Sequence, residues 1–322
     1  MKAVVQHRYG PPDVLRVEEV QKPEVPDDGV LVRVRASSVN PAEWYAVTSP
    51  PILRLIAGNG LLKPKRKTRG ADFAGTVEAV GPNHTRFKPG DQVFGGRLGA
   101  WAEYVSVRKN VAAKPTNISF EQAGAIPTAG ATALQGLRDH GKLQPGQRVL
   151  INGASGGVGT FAVQIAKALG GEVTAVCSTR HVDLVRSLGA GHVVDYKNED
   201  FTRSGRKYDL LLDIAGSRSW GEYKRVLEPN ATYVGIGAPK GGPLGPLGHL
   251  AAIRLATFRV TQRVVPVFIA QFSPEVFDDL RQLIESGKVT PVIDRTYPLS
   301  QVADALDYLG EGHAHAKIAL AI

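Results

Sequence analysis

The feature that most constrains this chain is a cluster of glycines between an apolar segment and a segment with helical periodicity, within residues 148–169. Residues 149–151 predict a buried strand, and apolar residues at helical spacing over 158–169 predict an amphipathic helix. Such a turn brings backbone N–H groups close to a pyrophosphate at a helix N-terminus. The pattern predicts a nucleotide-binding corner, with a ligand-free tight turn as the alternative. The predicted contacts are Ser155, Gly156, Gly157, Val158 and Gly159.

Length and composition limit the class of protein. A chain of 322 residues predicts two domains, and an apolar content of 43% supplies two cores. The single cysteine, Cys177, excludes an internal disulfide and a cysteine-rich zinc site. The sequence shows no apolar signal core and no apolar run long enough to span a bilayer. We therefore expect a soluble, cytoplasmic protein.

The net charge of +9 is concentrated in two segments. Six basic residues and no acid lie between Glu43 and Asp72, and four basic residues and no acid lie between Glu228 and Glu275. Both segments, 50–69 and 241–267, mix these cations with large apolar residues. They are interpreted either as ordinary solvated loops or as a peripheral contact with an anionic membrane. Nucleic acid is a poorer partner, because few aromatic residues interleave with the cations.

The sequence pattern changes near residue 122. Before it, short Val-rich strands alternate with Pro and Gly turns, which is typical of a small β-barrel. After it, apolar strands alternate with helices, which predicts a doubly wound parallel sheet. The last stretch returns to a strand, helix and strand pattern that would complete the first domain. The predicted α/β fold thus has one domain of residues 1–121 with 294–322, and a second of residues 122–293.

Several motifs together carry a family resemblance. They are GADFAGTVEAVG from Gly70, KPGDQVFG from Lys88, AIPTAGATALQGL around Thr128, GASGGVG from Gly153 and HAKIAL around Lys317. With them the whole chain resembles the medium-chain dehydrogenase/reductase superfamily, in its zinc-independent quinone oxidoreductase branch. The resemblance implies a GroES-like domain, a Rossmann domain and a cofactor in the cleft. It also implies a homodimer through the edge strands of two Rossmann sheets, for which residues 260–268 would supply the added strand.

The end of the second Rossmann strand predicts the cofactor. NAD-specific folds usually place an acid there, whereas this chain has Ser178, Thr179 and Arg180 and no acid until Asp183. Hydroxyls and a guanidinium suit a 2′-phosphate, and the resemblance implies that Ser178 and Tyr196 hold it. NADPH is therefore predicted over NADH. The alternatives make Arg180 an exposed helix residue and Tyr196 a packing residue on the sheet edge.

The resemblance implies further cofactor contacts. Lys317 would supply a cation near the pyrophosphate, with a plain surface lysine as the alternative. Thr128 would lie on the nicotinamide side, with a helix-capping role as the alternative. Gly237, which ends the fifth predicted Rossmann strand, and Asn40 complete the predicted cofactor contacts.

The predicted catalytic site contains organic side chains and no metal. Where zinc-binding relatives carry cysteine and a His-Glu pair, this chain has residues 37–40, Ser-Ser-Val-Asn, and residues 71–72, Ala-Asp. The resemblance places Asn40 and Tyr45 beside the nicotinamide. Asn40 would hold the cofactor amide or a substrate carbonyl, and Tyr45, whose phenol has a pKa of about 10, would donate a hydrogen bond. The alternatives are a turn residue for Asn40 and a packing residue for Tyr45.

These observations favour a zinc-independent, NADPH-dependent reductase. It would pass a hydride to a quinone or to the β-carbon of an α,β-unsaturated carbonyl, since both are flat acceptors that need no strong base. The alternative hypothesis is a non-catalytic NADPH-binding redox sensor, or a protein that associates with a membrane or with RNA.

Overall fold

The structure is a computed structural model, and it describes residues 1–48, 60, 62–237, 245–257, 260–266, 269–312 and 314–322. The chain divides into two compact units. Unit 1 consists of Met1–Thr128, Phe272–Glu285 and Pro291–Ile322, and unit 2 of Ala129–Gln271 and Ser286–Thr290. Residues 272–285, which the predicted boundaries put in the nucleotide-binding domain, therefore group with unit 1.

Unit 1 is built mainly from antiparallel strands. These are β1 (Lys2–Gln6), β2 (Leu15–Glu19), β3 (Val30–Val39), β4 (Asp72–Val80), β5 (Gln92–Gly96), β6 (Tyr104–Val107), β7 (Val111–Ala113), β14 (Ile293–Pro298) and β15 (Lys317–Ala321). Strands β1 and β2 pair with each other, and the others form a sheet in the order β14-β15-β3-β4-β5-β7, with β6 on β3. Alternating Val residues of β3 and β4 point into one apolar core with Phe73 and Val93.

The C-terminal tail is part of unit 1. β15 pairs antiparallel with β3, with Ile318 opposite Val39 and Ala321 opposite Ala36. The tail also contributes helix α9 (Val302–Gly310), whose buried face packs with Val4, Val47 and Trp101. The last strand, β15, therefore lies between β14 and the end of β3 in the sheet.

Helix α8 (Pro274–Glu285) explains why residues 272–285 belong to unit 1. Its buried face carries Phe277, whose ring lies 5.4 Å from that of Phe94 on β5. On its polar side, Asp278 forms a 2.6 Å ion pair with Arg86. These contacts join residues that are far apart in sequence.

Unit 2 contains a parallel sheet with helices between the strands. The strands are β8 (Arg148–Asn152), β9 (Glu172–Cys177), β10 (His192–Asp195), β11 (Tyr208–Asp213), β12 (Leu227–Gly235) and β13 (Arg263–Val265). Their order is β10-β9-β8-β11-β12-β13 and every pairing is parallel. This is the doubly wound order of a Rossmann fold, in which ligands bind at the carboxyl ends of the strands. The predicted fold class is confirmed.

The helices are named in chain order. They are α1 (Pro41–Thr48), α2 (Phe120–Gly124), α3 (Pro127–Leu134), α4 (Gly157–Ala168), α5 (Val182–Ser187), α6 (Trp220–Lys224) and α7 (Gly245–Ala256), followed by α8 and α9. Among the described residues, no helix has the length and apolar character needed to cross a membrane.

Candidate active site

A buried carboxylate, Asp72, is the centre of a polar network in unit 1. Asp72 opens β4 and is 0% exposed. Its Oδ1 accepts from the backbone N and the hydroxyl of Thr128, at 3.0 and 2.6 Å. Its Oδ2 accepts from the Ser38 hydroxyl at 2.7 Å and from Nδ2 of Asn40 at 3.0 Å. A buried polar group is costly unless it is hydrogen-bonded, and these donors satisfy both oxygens of the Asp72 side chain.

Lys317 supplies the opposite charge. Its Nζ lies 3.6 Å from Oδ2 of Asp72 and donates to Oδ1 of Asn40 at 2.5 Å and to the Val39 carbonyl at 3.3 Å. Two of these contacts are hydrogen bonds, and the contact with Asp72 is an ion pair. The alternative of a surface lysine is therefore wrong, since the residue is buried. These contacts indicate a role inside the network and give no support to the predicted contact with a pyrophosphate.

Glu43 on α1 adds a second buried carboxyl. Its Oε2 accepts from the backbone N of Asn40 at 2.8 Å, and its Oε1 lies 3.4 Å from Nδ2 of the same residue. Burial and the nearby Asp72 charge raise the pKa of Glu43 to about 8, although Lys317 and Asn40 oppose the shift. At neutral pH, Glu43 is mostly protonated, so the Asp72 and Lys317 charges balance each other.

The two predicted catalytic residues lie near the start of α1, Asn40 directly before the helix and Tyr45 within it. Asn40, directly before the helix, has its amide engaged by Asp72, Glu43 and Lys317, so it is more than a turn residue. Tyr45 is half-buried and its ring makes an edge contact with Trp44, with centroids 5.2 Å apart. Burial raises the pKa of Tyr45, so the phenol stays protonated at neutral pH and can donate. No hydrogen bond to its hydroxyl occurs among the described residues.

In unit 2, the predicted glycine turn connects β8 to α4. Gly153 has a φ of +91°, a conformation that favours glycine. Gly159 packs so closely on the Gly153 carbonyl that a Cβ would collide with it. Helix α4 begins after Gly156 and has no side-chain cap, so its first N–H groups point out of the helix without a side-chain acceptor. Ser155, Gly156, Gly157 and Val158 are half-buried at this turn, which fits a pyrophosphate at the helix N-terminus.

The predicted phosphate-selecting residues meet at the carboxyl ends of β9 and β10. Cys177 pairs with Asp195 at the end of the two strands, and the backbone N of Tyr196 donates to the Cys177 carbonyl at 3.0 Å. This register brings Ser178 and Arg180, which follow β9, to the same edge as Tyr196. Arg180 and Tyr196 are exposed, the latter to 46%. The alternative of Tyr196 as a packing residue is therefore not supported.

Two further residues at this edge, Thr179 and Asp195, are hydrogen-bonded to each other. Thr179 donates its hydroxyl proton to Oδ2 of Asp195 at 2.6 Å, so this proton is not available to a phosphate. Asp195 also accepts from the backbone of Lys197 and the side chain of Asn198. The hydrogen bond from Thr179 is the main cause that holds the pKa of Asp195 below its usual value. Asp195 is thus a turn-capping residue.

A second buried carboxylate, Asp213, organises the neighbouring strand ends. Its Oδ1 accepts from Nδ2 of Asn152 at 2.8 Å and from the Gly216 backbone at 2.9 Å, and its Oδ2 accepts from the Tyr233 hydroxyl at 2.9 Å. Predicted contact Gly237 follows β12 here, where a Cβ would collide with the Ile214 carbonyl. The network thereby holds the ends of β8, β11 and β12 at the edge that carries the glycine turn.

Comparison with known proteins identifies the family. A family model for the alcohol dehydrogenase GroES-like domain matches residues 26–117, and one for zinc-binding dehydrogenases matches residues 188–320. The human mitochondrial protein named NAD(P)H oxidoreductase RTN4IP1 is 34% identical over 349 residues, covering 98% of this chain and 88% of that protein. The chain belongs to the medium-chain dehydrogenase/reductase superfamily.

Within this superfamily, the similarity extends to the quinone oxidoreductase branch. The NADPH-dependent alkenal/one oxidoreductase of Arabidopsis thaliana chloroplasts is 33% identical over 340 residues, covering 99% of this chain and 78% of that protein. The solved quinone oxidoreductase of Coxiella burnetii is 28% identical, with a TM-score of 0.86 and coverage of 100% of this chain and 99% of that chain. The predicted family is confirmed, and the chain is an oxidoreductase.

The donor atoms in unit 1 do not fit the zinc that the second family description implies. Zinc sites use thiolate, imidazole and carboxylate ligands. Ser38 and Asn40 offer a hydroxyl and an amide, and the carboxylate of Asp72 has the Lys317 ammonium 3.6 Å away. A positive charge at that distance opposes binding of a divalent cation. Among the described residues, no three His, Cys, Asp or Glu side chains group as metal ligands.

Sequence reasoning missed the residues at the centre of both networks. From the sequence, Asp72 and Glu43 enter only as the bounds of a basic segment, and Asp72 also as a departure from the zinc ligands, whereas Asp213 has no predicted role. One signal was available: Asp72 directly precedes an apolar segment at the start of β4, and Asp213 directly follows one at the end of β11. Because an unpaired charge is seldom buried, such an acid indicates donors that arrive from elsewhere in the chain.

Replacing Glu43 by Gln should flatten the dependence of stability on pH. The folded chain keeps this proton up to about pH 8, whereas the unfolded chain releases it near pH 4.5. The stabilising contribution is therefore complete below the lower value and is lost as pH rises toward the upper one. Between them, the free energy of unfolding of the wild type should fall relative to the variant by at most about 1.4 kcal/mol per pH unit. Urea unfolding of both proteins across this range measures the difference, and parallel curves would contradict the assignment.

Proposed function

We propose that the chain is an NADPH-dependent reductase that works without zinc and transfers a hydride to a quinone or to the β-carbon of an α,β-unsaturated carbonyl. One observation carries the choice of cofactor. Ser178, Arg180 and Tyr196 lie at one edge of the unit 2 sheet, and no acid directly follows β9. The names of the Arabidopsis and Coxiella relatives support the two classes of acceptor.

The chain's own residues would hold the cofactor in unit 2. The uncapped N–H groups at the start of α4 bind the pyrophosphate, because the partial positive charge of a helix N-terminus favours an anion. Arg180 pairs with the 2′-phosphate, and the hydroxyls of Ser178 and Tyr196 donate to it. When bound, NADPH supplies the hydride. Asn40 and Thr128 are the residues that we propose as contacts of the nicotinamide.

The proposed chemistry at the acceptor needs a hydrogen-bond donor and no metal. When a hydride reaches a quinone or an enone, negative charge develops on the acceptor oxygen. The protonated phenol of Tyr45 donates to that oxygen and stabilises the charge. The proton that completes the reduction comes from Tyr45 with its replacement from water, or from water directly. Asp72 and Lys317 take no part in this proton transfer, since all their polar groups are engaged with each other and with their neighbours.

Arg180→Ala should weaken NADPH binding selectively. Loss of a hydrogen bond to a charged group costs about 1.5–3 kcal/mol, which corresponds to roughly 10- to 100-fold in Kd. NADH lacks the 2′-phosphate, so its Kd should not change. Calorimetric titration with both cofactors measures the effect. Arg186→Ala, which removes another exposed arginine from the following helix α5, is the matched control. Equal losses for NADPH and NADH would contradict the proposed phosphate site.

Tyr45→Phe should lower kcat by roughly 100-fold, at the low end of the effect of a positioned proton donor. The Kd of NADPH should stay the same, because the phenol is proposed to contact the acceptor and not the cofactor. Steady-state oxidation of NADPH with quinones and enones gives kcat. Tyr308→Phe removes a phenol that bonds Asp294 elsewhere in unit 1 and should leave kcat close to wild type. An unchanged kcat in Tyr45→Phe would exclude this residue as the donor.

The homodimer is also a proposal, and the edge strand β13 supports it. β13 pairs with β12 on one side, and its outer edge has no strand partner among the described residues. Pro266 follows the strand directly and so does not interrupt it. We expect sedimentation analysis to give the mass of two chains at micromolar concentration, and a monomer would contradict the proposal.

Membrane contact and location remain proposals that rest on charge and composition. Residues 50–59, 61, 241–244, 258–259 and 267 of the two basic segments lie outside the described residues. Lys63, Lys65, Arg66 and Lys67 are exposed. Co-flotation with anionic vesicles at low salt would support a membrane contact, and its absence would exclude it. We propose a cytoplasmic location, whereas the human and Arabidopsis relatives are named as mitochondrial and chloroplastic proteins.

A further inference from the structure

A cavity opens at the amino ends of the unit 2 strands, on the opposite edge of the sheet from the predicted phosphate-selecting residues. Its volume of about 730 Å³ lies within the range of small-molecule sites. The first residues of four neighbouring strands line it, namely Arg148, Glu172, His192 and Tyr208. Because β9 has six residues, about 16 Å of strand separates this edge from the edge that carries Ser178. The cavity therefore lies apart from the proposed cofactor site.

The charged side chains around this cavity carry a surplus of positive charge. Arg148 forms a 2.8 Å ion pair with Glu228 and lies 3.8 Å from Asp209, so its charge is balanced. Three cations and one acid remain among the lining side chains, namely Lys167, Arg206, Lys207 and Glu172. Opposite charges attract more strongly in a cleft than in open water. The remaining charge therefore favours an anionic ligand.

The three cations have hydrogen-bonding capacity to spare. Lys207 donates once, to the Arg225 carbonyl at 2.7 Å, and an ammonium has three N–H groups. Lys167 and Arg206 form no ion pair and no side-chain hydrogen bond within the part of the chain that the structure describes. A Cβ at Gly189 would collide with the side chain of Lys167, so the lysine lies across a residue that also lines the cavity.

A nearly buried hydroxyl points to a ligand more strongly than these exposed cations do. Thr174 lines the cavity and is only 6% exposed, yet its hydroxyl has no hydrogen-bond partner among the described residues. Burial of an unpaired hydroxyl is costly. His192 lies opposite Thr174 in the pairing of β10 with β9, so both side chains lie on the same face of the sheet. The half-buried imidazole likewise has no partner in the described ranges. A ligand in the cavity can supply the missing partner to both groups.

We infer that this cavity binds a phosphate group, either as the free ion or as the head of a small phosphate ester. The hydroxyl of Thr174 and a ring N–H of His192 donate to phosphate oxygens. Lys167, Arg206 and Lys207 balance the charge, and hydrogen bonds from charged donors to phosphate are strong. The inference goes beyond the proposed function and does not rest on it, since it requires no nicotinamide cofactor.

NMR titration of the full chain with inorganic phosphate and with glycerol 3-phosphate tests the site. The chain contains eight histidines, and the imidazole signals that disappear in His192→Gln identify His192. With ionic strength held constant and NADPH in excess, we expect the His192 signal to shift in a saturable manner. The probe with the lower Kd shows whether the free ion or an ester is the preferred ligand.

Variants of Thr174 test the hydroxyl. Thr174→Val keeps the shape of the side chain but cannot donate, so it should raise the Kd roughly three- to tenfold. Thr174→Ser keeps a hydroxyl and should bind within about twofold of the wild type. The melting temperature of each variant shows whether it is folded.

Charge variants test the cations by effects of opposite sign. Arg206→Gln should raise the Kd roughly threefold or more, whereas Glu172→Gln removes the unpaired acid and should lower it roughly two- to fivefold. Lys224→Gln is the matched control, because Lys224 is an exposed cation of α6 that does not line the cavity. Its Kd should equal that of the wild type.

Three results would overturn the inference: no saturable shift of the His192 signal with either probe, the same Kd in the wild type and folded Thr174→Val, or equal losses in Lys224→Gln and Arg206→Gln. If Thr174→Val does not fold, the opposite effects of Arg206→Gln and Glu172→Gln decide. A failure to bind NADPH would contradict the proposed function alone, because the same titrations without NADPH still report on this cavity.

Discussion

The ion pair between Asp72 and Lys317 is the interaction on which unit 1 depends. Both side chains are buried, at 0% and 3% exposure, and removing one partner of such a pair costs about 3–5 kcal/mol. The pair is tolerated because Ser38, Asn40 and Thr128 satisfy the remaining polar groups. It joins the start of β4 to the start of the last strand, β15. The same contacts that complete the fold therefore hold the residues that we propose to face the nicotinamide.

Unit 2 uses the same physical solution in a different place. Asp213, at the carboxyl end of β11, accepts from Asn152, Gly216 and Tyr233. Burial raises the pKa of Asp213, although its hydrogen-bond donors oppose the shift. In a parallel sheet the carboxyl ends of the strands share one edge, so a carboxylate that ties three strand ends together also fixes the loops that follow them. The glycine turn and Gly237 are among those loops. In both units a buried acid thus stabilises the geometry around a proposed site without itself being exposed to a ligand.

Much of unit 2 could be predicted from the sequence, because its signals are local. Apolar strands, a glycine turn and helical periodicity lie within a few residues of each other, and the parallel order then puts Ser178 and Tyr196 at one edge. Helix α8 was not predicted, and its place in unit 1 depends on the long-range contact of Phe277 with Phe94. The roles of Asp72 and Lys317 could not be predicted for a similar reason. Periodicity describes each strand separately, whereas their contact depends on the pairing of β15 with β3 and of β3 with β4.

Transfer of deuterium tests the central claim most directly. The wild-type chain would be incubated with NADPH that carries deuterium at the transferring position of the nicotinamide ring, and with a panel of enones and quinones. We expect oxidation of NADPH with at least one class of acceptor, and deuterium at the β-carbon of the product when the acceptor is an enone. Tight binding of NADPH without its oxidation by any acceptor, or a product that carries no deuterium from a reactive enone, would contradict hydride transfer and favour a binding protein that senses the cofactor.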